Sequence, residues 1–239
     1  MPQIDWPVEQ IDCLKADMKN AIAMGPFGSR IKAENFQDSG VPVIKGGNLT
    51  SGYLNEDNFD FLSIEKANEL AASKAVRGDL VITHRGTVGQ VGLIPFNSRY
   101  QEYIVSQSQL KVSLDTERID PYFAFYYLKS SQGQHQLLAN ASQVGVPAIA
   151  RASTSVKQIE MPVPALEVQS RITNLLRSLD DKIELNQRMN ETLEEMARAL
   201  FRDWFVDFGP TRRQMEGATD PVAIMGGAFP AEKAAHLAP

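Results

Sequence analysis

The sequence predicts a mixed α/β (α+β) globular domain followed by a long, coiled-coil-forming α-helix, and three observations carry that prediction. Across residues 1–165, short apolar runs bounded by Gly, Pro and Asn alternate with capped helical segments. From Leu166 to Phe208 no Gly or Pro interrupts 43 residues of helical periodicity. Beyond Gly209-Pro210 the chain turns to Ala, Gly and Pro without a convincing period, which reads as a loosely ordered tail, 209–239, with Phe229-Pro230 docking locally.

Taken in order, residues 1–24 carry a weak mixed pattern, and Gly25-Pro26-Phe27-Gly28-Ser29 is a turn. Val41 to Lys45 and Phe59 to Leu62 read as strands, separated by the breaker Gly46-Gly47-Asn48. Ser63 caps a helix expected to run to about Ala75. Gly78 to Gly86 is a buried strand ending in a polar tip, Val88 to Pro95 returns beside it, and Ser108 to Leu114 alternates like a third strand. Asp120-Pro121, a cap followed by Pro at the first helical position, opens an aromatic helix over 122–128. A second helix is expected over 134–141, then a loop to Pro147 and a closing strand from Val156 to Val163.

In the long helix, Ile172, Leu176, Leu179, Ile183, Asn186, Asn190, Leu193, Ala197 and Leu200 follow the alternating four-and-three spacing of a coiled-coil seam, which Trp204 continues. At 1.5 Å per residue the segment spans roughly 65 Å, too long to bury its stripe alone. Two asparagines within the seam weaken it but penalise misregistered partners. Phe201, Trp204, Phe205 and Phe208 add an apolar flank wider than one partner helix requires.

Composition excludes several classes. A single cysteine permits no internal disulfide or cysteine-based metal site, and three scattered histidines argue against a metal cluster. No apolar run reaches membrane-span length and the N-terminus is unlike a signal peptide, so the expected location is cytoplasmic. Residues 1–165 carry 15 Lys+Arg against 17 Asp+Glu, and 166–239 carry 9 against 12. Neither part is basic, so contact with nucleic acid needs positive charge gathered on one face.

Catalytic motifs are missing. Gly86, Gly89 and Gly92 lack phosphate-loop spacing and precede no helix, so they read as glycines relieving crowding in a twisted hairpin. Asp120-Pro121-Tyr122-Phe123 is one proline short of the D-P-P-Y motif of amino-methyltransferases, and a helix cap accounts for it. Ser106 and Ser108 have no visible histidine base. The chain reads as no enzyme. The turns and tips instead collect Arg30, Lys32, Lys45, Asn48, Thr83, His84, Arg85, Gln90, Arg99, Gln107 and Gln143, residue types that contact phosphates and base edges.

In succession, GPFGSRIK (25–32), GVPVIKGGNL (40–49), GDLVITHRGTVGQVGLIP (78–95), SQSQL (106–110), DPYFAFYYL (120–128), MPVPALEVQSRI (161–172) and LDDKIELNQ (179–187) resemble the DNA-specificity subunit of type I restriction-modification systems, over about residues 6–208. The resemblance implies a target recognition domain at 1–165, a conserved spacer helix at 166–208 and a connector thereafter. Family members ordinarily carry two of each, their helices antiparallel. One of each implies a half-subunit, natural or truncated, and an antiparallel homodimer reading a bipartite, palindromic target in double-stranded DNA. It also implies a modification subunit carrying S-adenosylmethionine that methylates adenine, contacted through the Phe201–Phe208 surface. A restriction subunit using ATP with Mg is a further implied partner; no cofactor is expected in this chain. The rival expectation is a coiled-coil adaptor that binds protein, in keeping with an isoelectric point near 5.3.

Overall fold

The computed structural model describes residues 6–50, 53–142 and 145–237. The chain divides into two compact units, Met1–Leu175 and Leu176–Pro239. In order, the first contains β1 Val8–Gln10, α1 Ile11–Leu14, β2 Ile22–Met24, β3 Phe36–Gln37, β4 Val41–Ile44, β5 Asp60–Leu62, α2 Ile64–Glu69, β6 Lys74–Val76, β7 Leu80–Thr83 and β8 Val91–Leu93. There follow β9 Glu102–Val105, β10 Gln109–Val112, α3 Pro121–Lys129, α4 Ser131–Leu138, β11 Ala141–Ser142, β12 Ala148–Ile149, α5 Ala152–Lys157 and β13 Glu160–Pro162.

Two sheets form the frame. One runs β2-β10-β7-β8, antiparallel throughout; the other runs β3-β5-β4-β9-β6, with β4 and β9 parallel. The period-two alternation of strand side chains assigns each residue to a layer. Leu80 and Ile82 join Leu110, Val112 and the helical residues Leu14, Phe125, Leu128 and Val156, whereas Val81 between them meets Ile44, Tyr103 and Val105 of the second sheet. Ile104 points the other way, to Leu62, Ala67 and Leu70. The result is four layers: helices, sheet, sheet and α2. The short pair β1–β13 closes the unit, setting Val8 opposite Pro162 just before the long helix begins.

Several sequence expectations need correction. Ser63 does cap α2, its hydroxyl accepting from Lys66 N at 3.1 Å, but the helix ends at Glu69, because Lys74–Val76 is drawn into the ladder with β9. The strand β9 was not anticipated. Residues expected as helix over 134–141 start earlier, at Ser131, because Ser130 caps them through Gly133 N. The strand expected from Val156 is still helical to Lys157 and extends only over Glu160–Pro162. Of the segment expected to be mixed, residues 6–24 contain β1, α1 and β2, and residues 1–5 lie outside the described residues.

Of the three tip glycines, Gly89 and Gly92 are crowded by neighbouring side chains, while Gly86 faces open space and is glycine for its backbone conformation. Gly86 and Gly89 have φ near +90°, and a Cβ on Gly92 would lie 2.5 Å from Leu49.

The long helix, α6, spans Leu166–Phe201 rather than reaching Phe208. A π-helical turn, Arg202–Val206, follows, and Phe208 is left-handed at φ 49°. The tail is helical, not loosely ordered: α7 Gly209–Met215, α8 Pro221–Ile224 and α9 Ala231–Leu237. Ile224, Met225 and Ala234 form a small core under the half-buried Trp204, whose ring lies 5.5 Å from Phe229, the local docking expected of that residue. Arg213 holds the turn by donating to both Asp203 oxygens, at 3.1 and 2.7 Å, and to Ile224 O. A Cβ on Gly209 would fall 2.1 Å from Asp203 Oδ1, so any larger residue there would have to displace the Asp203–Arg213 pair.

Candidate nucleic-acid interface

The topology brings four segments to one end of the two sheets. β4 and β9 run parallel and release Lys45-Gly46 and Ser106–Ser108 side by side, with Ser106 N donating to Ile44 O. β7 ends beside the start of β10, so the His84–Gln90 tip stands next to them, and His84 N donates to Ser108 O. The Gly25–Arg30 segment closes the group: Gly25 N donates to Gln109 O, and a Cβ there would lie 1.9 Å from Ser106 O. Glycine at 25 is therefore the condition for that approach.

Beneath this surface a polar relay fixes the tip. Thr87 Oγ1 and Thr83 Oγ1 both donate to Gln90 Oε1, at 2.7 and 3.2 Å, and Gln109 Nε2 donates to Thr83 Oγ1 at 3.3 Å. Ser106 Oγ donates to Gln109 Oε1. The β-carbon position of Gly46 touches the far ends of Gln90, Thr87 and Gln109. Buried His84 donates from Nε2 to Gln107 O at 3.2 Å, and burial pushes its pKa below 6.5, so the neutral ring is favoured.

Between the Pro26–Ile31 segment and the Ser106–Gln109 turn lies a cleft of about 380 Å³, floored by Val43, Ile31 and Phe36. Lys45 stands at its edge, its ammonium 4.9 Å from the Phe36 ring centre and paired with Asp60. On the other side of the tip, Arg85 forms a bridge with Ala148, and Gly86 N donates to Pro147 O. The short β11–β12 hairpin thus abuts the tip.

The structure sorts the sequence-predicted site residues into three groups. Arg30, Lys32, Lys45, Arg85 and Gln107 are exposed at this end; Lys32 also meets Glu34 at 3.5 Å. Asn48, Thr83 and His84 are buried, and Gln90 is turned into the relay, so these four shape the surface rather than line it. Asn48 accepts from Lys45 N and donates to Asn55 O and Asp57 O, which locks the Gly46–Leu49 turn. Arg99 does not belong to the group: it precedes β9, at the opposite end of that strand from Ser106, and its backbone N donates to Glu56. Gln143 lies outside the described residues. Sequence reasoning missed Gly46, Thr87 and Gln109 as organisers of the tip. Their signal was only the dense Gly, Ser, Thr and Gln content of GGN and SQSQL. Among the described residues no group of three or more His, Cys, Asp or Glu could hold a metal, and no helix is long and apolar enough to cross a membrane.

Along α6, Ile172 packs on the core of the first unit and is withdrawn from the seam. Leu176 and Leu200 are half-buried, while Leu179, Ile183, Asn186, Asn190, Leu193 and Ala197 are exposed, Ile183 to 54%. Phe201, Phe205 and Phe208 are each more than 60% exposed, with the first two rings 5.1 Å apart, and only Trp204 is covered.

A family profile described as type I restriction modification DNA specificity domain matches residues 25–195. The chain is 29% identical over 188 residues to the type I restriction enzyme HindI specificity subunit of Haemophilus influenzae, covering 74% of this chain and 39% of that one. It is 26% identical over 223 residues to the MjaIX specificity subunit of Methanocaldococcus jannaschii, covering 88% and 46%. It thus spans less than half the length of these curated relatives. In fold it is similar to the S subunit of a type I restriction-modification system from M. genitalium, with a TM-score of 0.59 and 20% identity over 86% of this chain and 47% of that one. A chain from a structure of complex assembly in the type I R-M system gives 0.55 and 16%, covering 95% and 47%.

Proposed function

The chain belongs to the type I restriction modification DNA specificity family, and from that premise we propose that residues 1–165 are a target recognition domain and that the chain supplies sequence specificity rather than catalysis. The observation that carries this is the tip: cations and amides from four separated segments meet at one end of a two-sheet frame, held by a buried relay. Arg85 and Lys45 offer the groups that meet phosphate or guanine, and Gln107 the amide that meets adenine. With a net charge of −5, attraction to DNA depends on this local clustering.

The half-exposed seam of α6 supports a second part of the reading: two copies pair antiparallel through Leu179, Ile183 and Leu193, placing a recognition domain at each end. Two identical domains read a bipartite, palindromic target, with half-sites separated by at most about two helical turns of 34 to 36 Å. The exposed phenylalanines support a docking role toward a modification subunit, which would bring S-adenosylmethionine and methylate adenine. A restriction subunit using ATP with Mg would join the same assembly in the cytoplasm.

The test is a duplex-shift titration with the full chain and its methyltransferase subunit, using the methylated motif of the source genome. A salt-sensitive, motif-dependent shift is expected. Arg85→Ala should cost about 1 to 3 kcal/mol and relax discrimination at one base if it reads a base edge. A chain that shifts no DNA at any salt concentration is a protein-binding adaptor instead.

A further inference from the structure

Among the described residues, four outside glycine adopt positive φ: Asn20, Asn58, Phe208 and Arg151. Asparagine tolerates the left-handed region because its short amide bonds locally, but arginine gains nothing from it and its β-carbon opposes it. Arg151 nevertheless sits at φ 47°, ψ 51° in the first unit. The surroundings hold it there from both sides. Ala150 N donates to Asn140 O and Ser155 Oγ to Ala150 O, while Thr154 N and Ser155 N both donate to Arg151 O. Glycine would satisfy this backbone at lower cost, so an arginine here implies a use for the side chain.

Its position suggests the use. Residues 147–149 run antiparallel to 84–86, with Gly86 N donating to Pro147 O and Ile149 N to His84 O. Arg151 is three residues beyond Ala148, the bridge partner of Arg85, and follows the turn residue Ala150 at the end of β12. Both arginines are exposed, and among the described residues neither meets a carboxylate. In the same unit Lys45, Lys66, Lys74, Arg118 and Lys157 are ion-paired, whereas Arg30 and Arg99, like these two arginines, have no ion pair among the described residues. Two arginines without an ion pair among the described residues therefore lie on the tip and just past the hairpin that abuts it.

We propose that Arg151 is a DNA phosphate contact that works with Arg85 to fix the register of the tip on the duplex. This rests on the DNA-recognition function proposed above. A guanidinium suits the task because it stays charged and forks onto phosphate oxygens, and the constrained backbone reduces the ordering needed on binding.

The experiment measures affinity of the full chain for a mixed-sequence duplex and for the methylated motif across a salt series, for wild type and Arg151→Ala, Arg151→Lys and Arg151→Gly. Arg151→Ala should weaken both duplexes alike, about three- to tenfold, and reduce the salt slope by about one. Arg151→Lys should keep the slope. Arg151→Gly, which relieves the backbone, should melt no lower than wild type and still bind like Arg151→Ala. If wild type binds and both uncharged variants match it in affinity and slope, Arg151 is no phosphate contact. A loss confined to the methylated motif, with an unchanged slope, makes it a base reader and overturns the phosphate assignment. A weakening by Ala that Gly restores marks a purely structural residue. If wild type itself shows no salt-sensitive binding, the DNA-recognition function falls first and this proposal with it.

Discussion

Thr173 Oγ1 donates to the Asp120 carboxylate at 3.0 Å, closing the second turn of α6 onto the cap of α3. Gln169, fully buried one turn earlier, completes the joint: its Oε1 accepts from Asp120 N, and its Nε2 donates to Pro164 O and Arg118 O. Asp120 meanwhile caps α3 through Tyr122 N. One carboxylate and one amide thus seat the start of α6 on the first unit.

Gln169→Ala strands a buried backbone donor and two carbonyls. It should cost about 2 to 3 kcal/mol in chemical denaturation of the full chain, whereas Glu167→Ala, on the exposed face of the same turn, should change little. Equal stability of the two variants would show that the amide network carries no net stability.

His84 gives the domain a signed pH dependence. Burial lowers its folded-state pKa below 6.5, so the neutral ring contributes stability that is present above 6.5 and lost as pH falls through the folded value. Thermal melts of wild type across that interval should show a fall that His84→Gln removes, with Gln keeping a donor for Gln107 O. A parallel fall in both proteins would assign the titration elsewhere.

If the seam joins two copies, Ile183→Asp places a carboxylate in an apolar contact. Dissociation should rise by about 100-fold, equivalent to about 3 kcal/mol. Light scattering after size exclusion should find wild type as a dimer and the variant as a monomer. A wild-type monomer at micromolar concentration rules out pairing through α6.

The exposed phenylalanines predict a separable defect. If these rings dock a modification subunit as proposed, Phe205→Asp, on a ring 61% exposed, should abolish co-purification of that subunit while the thermal midpoint of the first unit stays unchanged. Undiminished co-purification would remove these rings from the partner contact.

Local rules made much of the frame legible. Ser63 and Asp120 announced their helices as caps, since a hydroxyl or carboxylate reaching a backbone N–H two or three residues on is a short-range event. The strands at 41–44 and 80–83 declared themselves as apolar runs bounded by breakers, the strand at 109–112 by alternation, and the helix α6 by its unbroken helical period. β9 and the short span of α2 were not legible, because Glu102–Val105 and Lys74–Val76 are strands chiefly through pairing with each other and with β4. The tail was misjudged for a similar reason: its helices gather on Trp204 and on the Asp203–Arg213 pair, a contact ten residues apart that composition does not encode.

The division at the tip is sharper still. By itself the sequence determined that Lys45, Asn48, Thr83, His84, Arg85 and Gln90 would lie where strands end, because the glycines and polar residues stop the apolar runs there. Only the tertiary structure decided which of them face solvent. Asn48 turns inward because the carbonyls of Asn55 and Asp57 need a donor, and Thr83 because Gln90 and Gln109 surround it. Arg85 stays outside, with no carboxylate to hold it among the described residues. A polar side chain goes where an unsatisfied partner lies, and those partners arrive from distant parts of the chain through strand pairing.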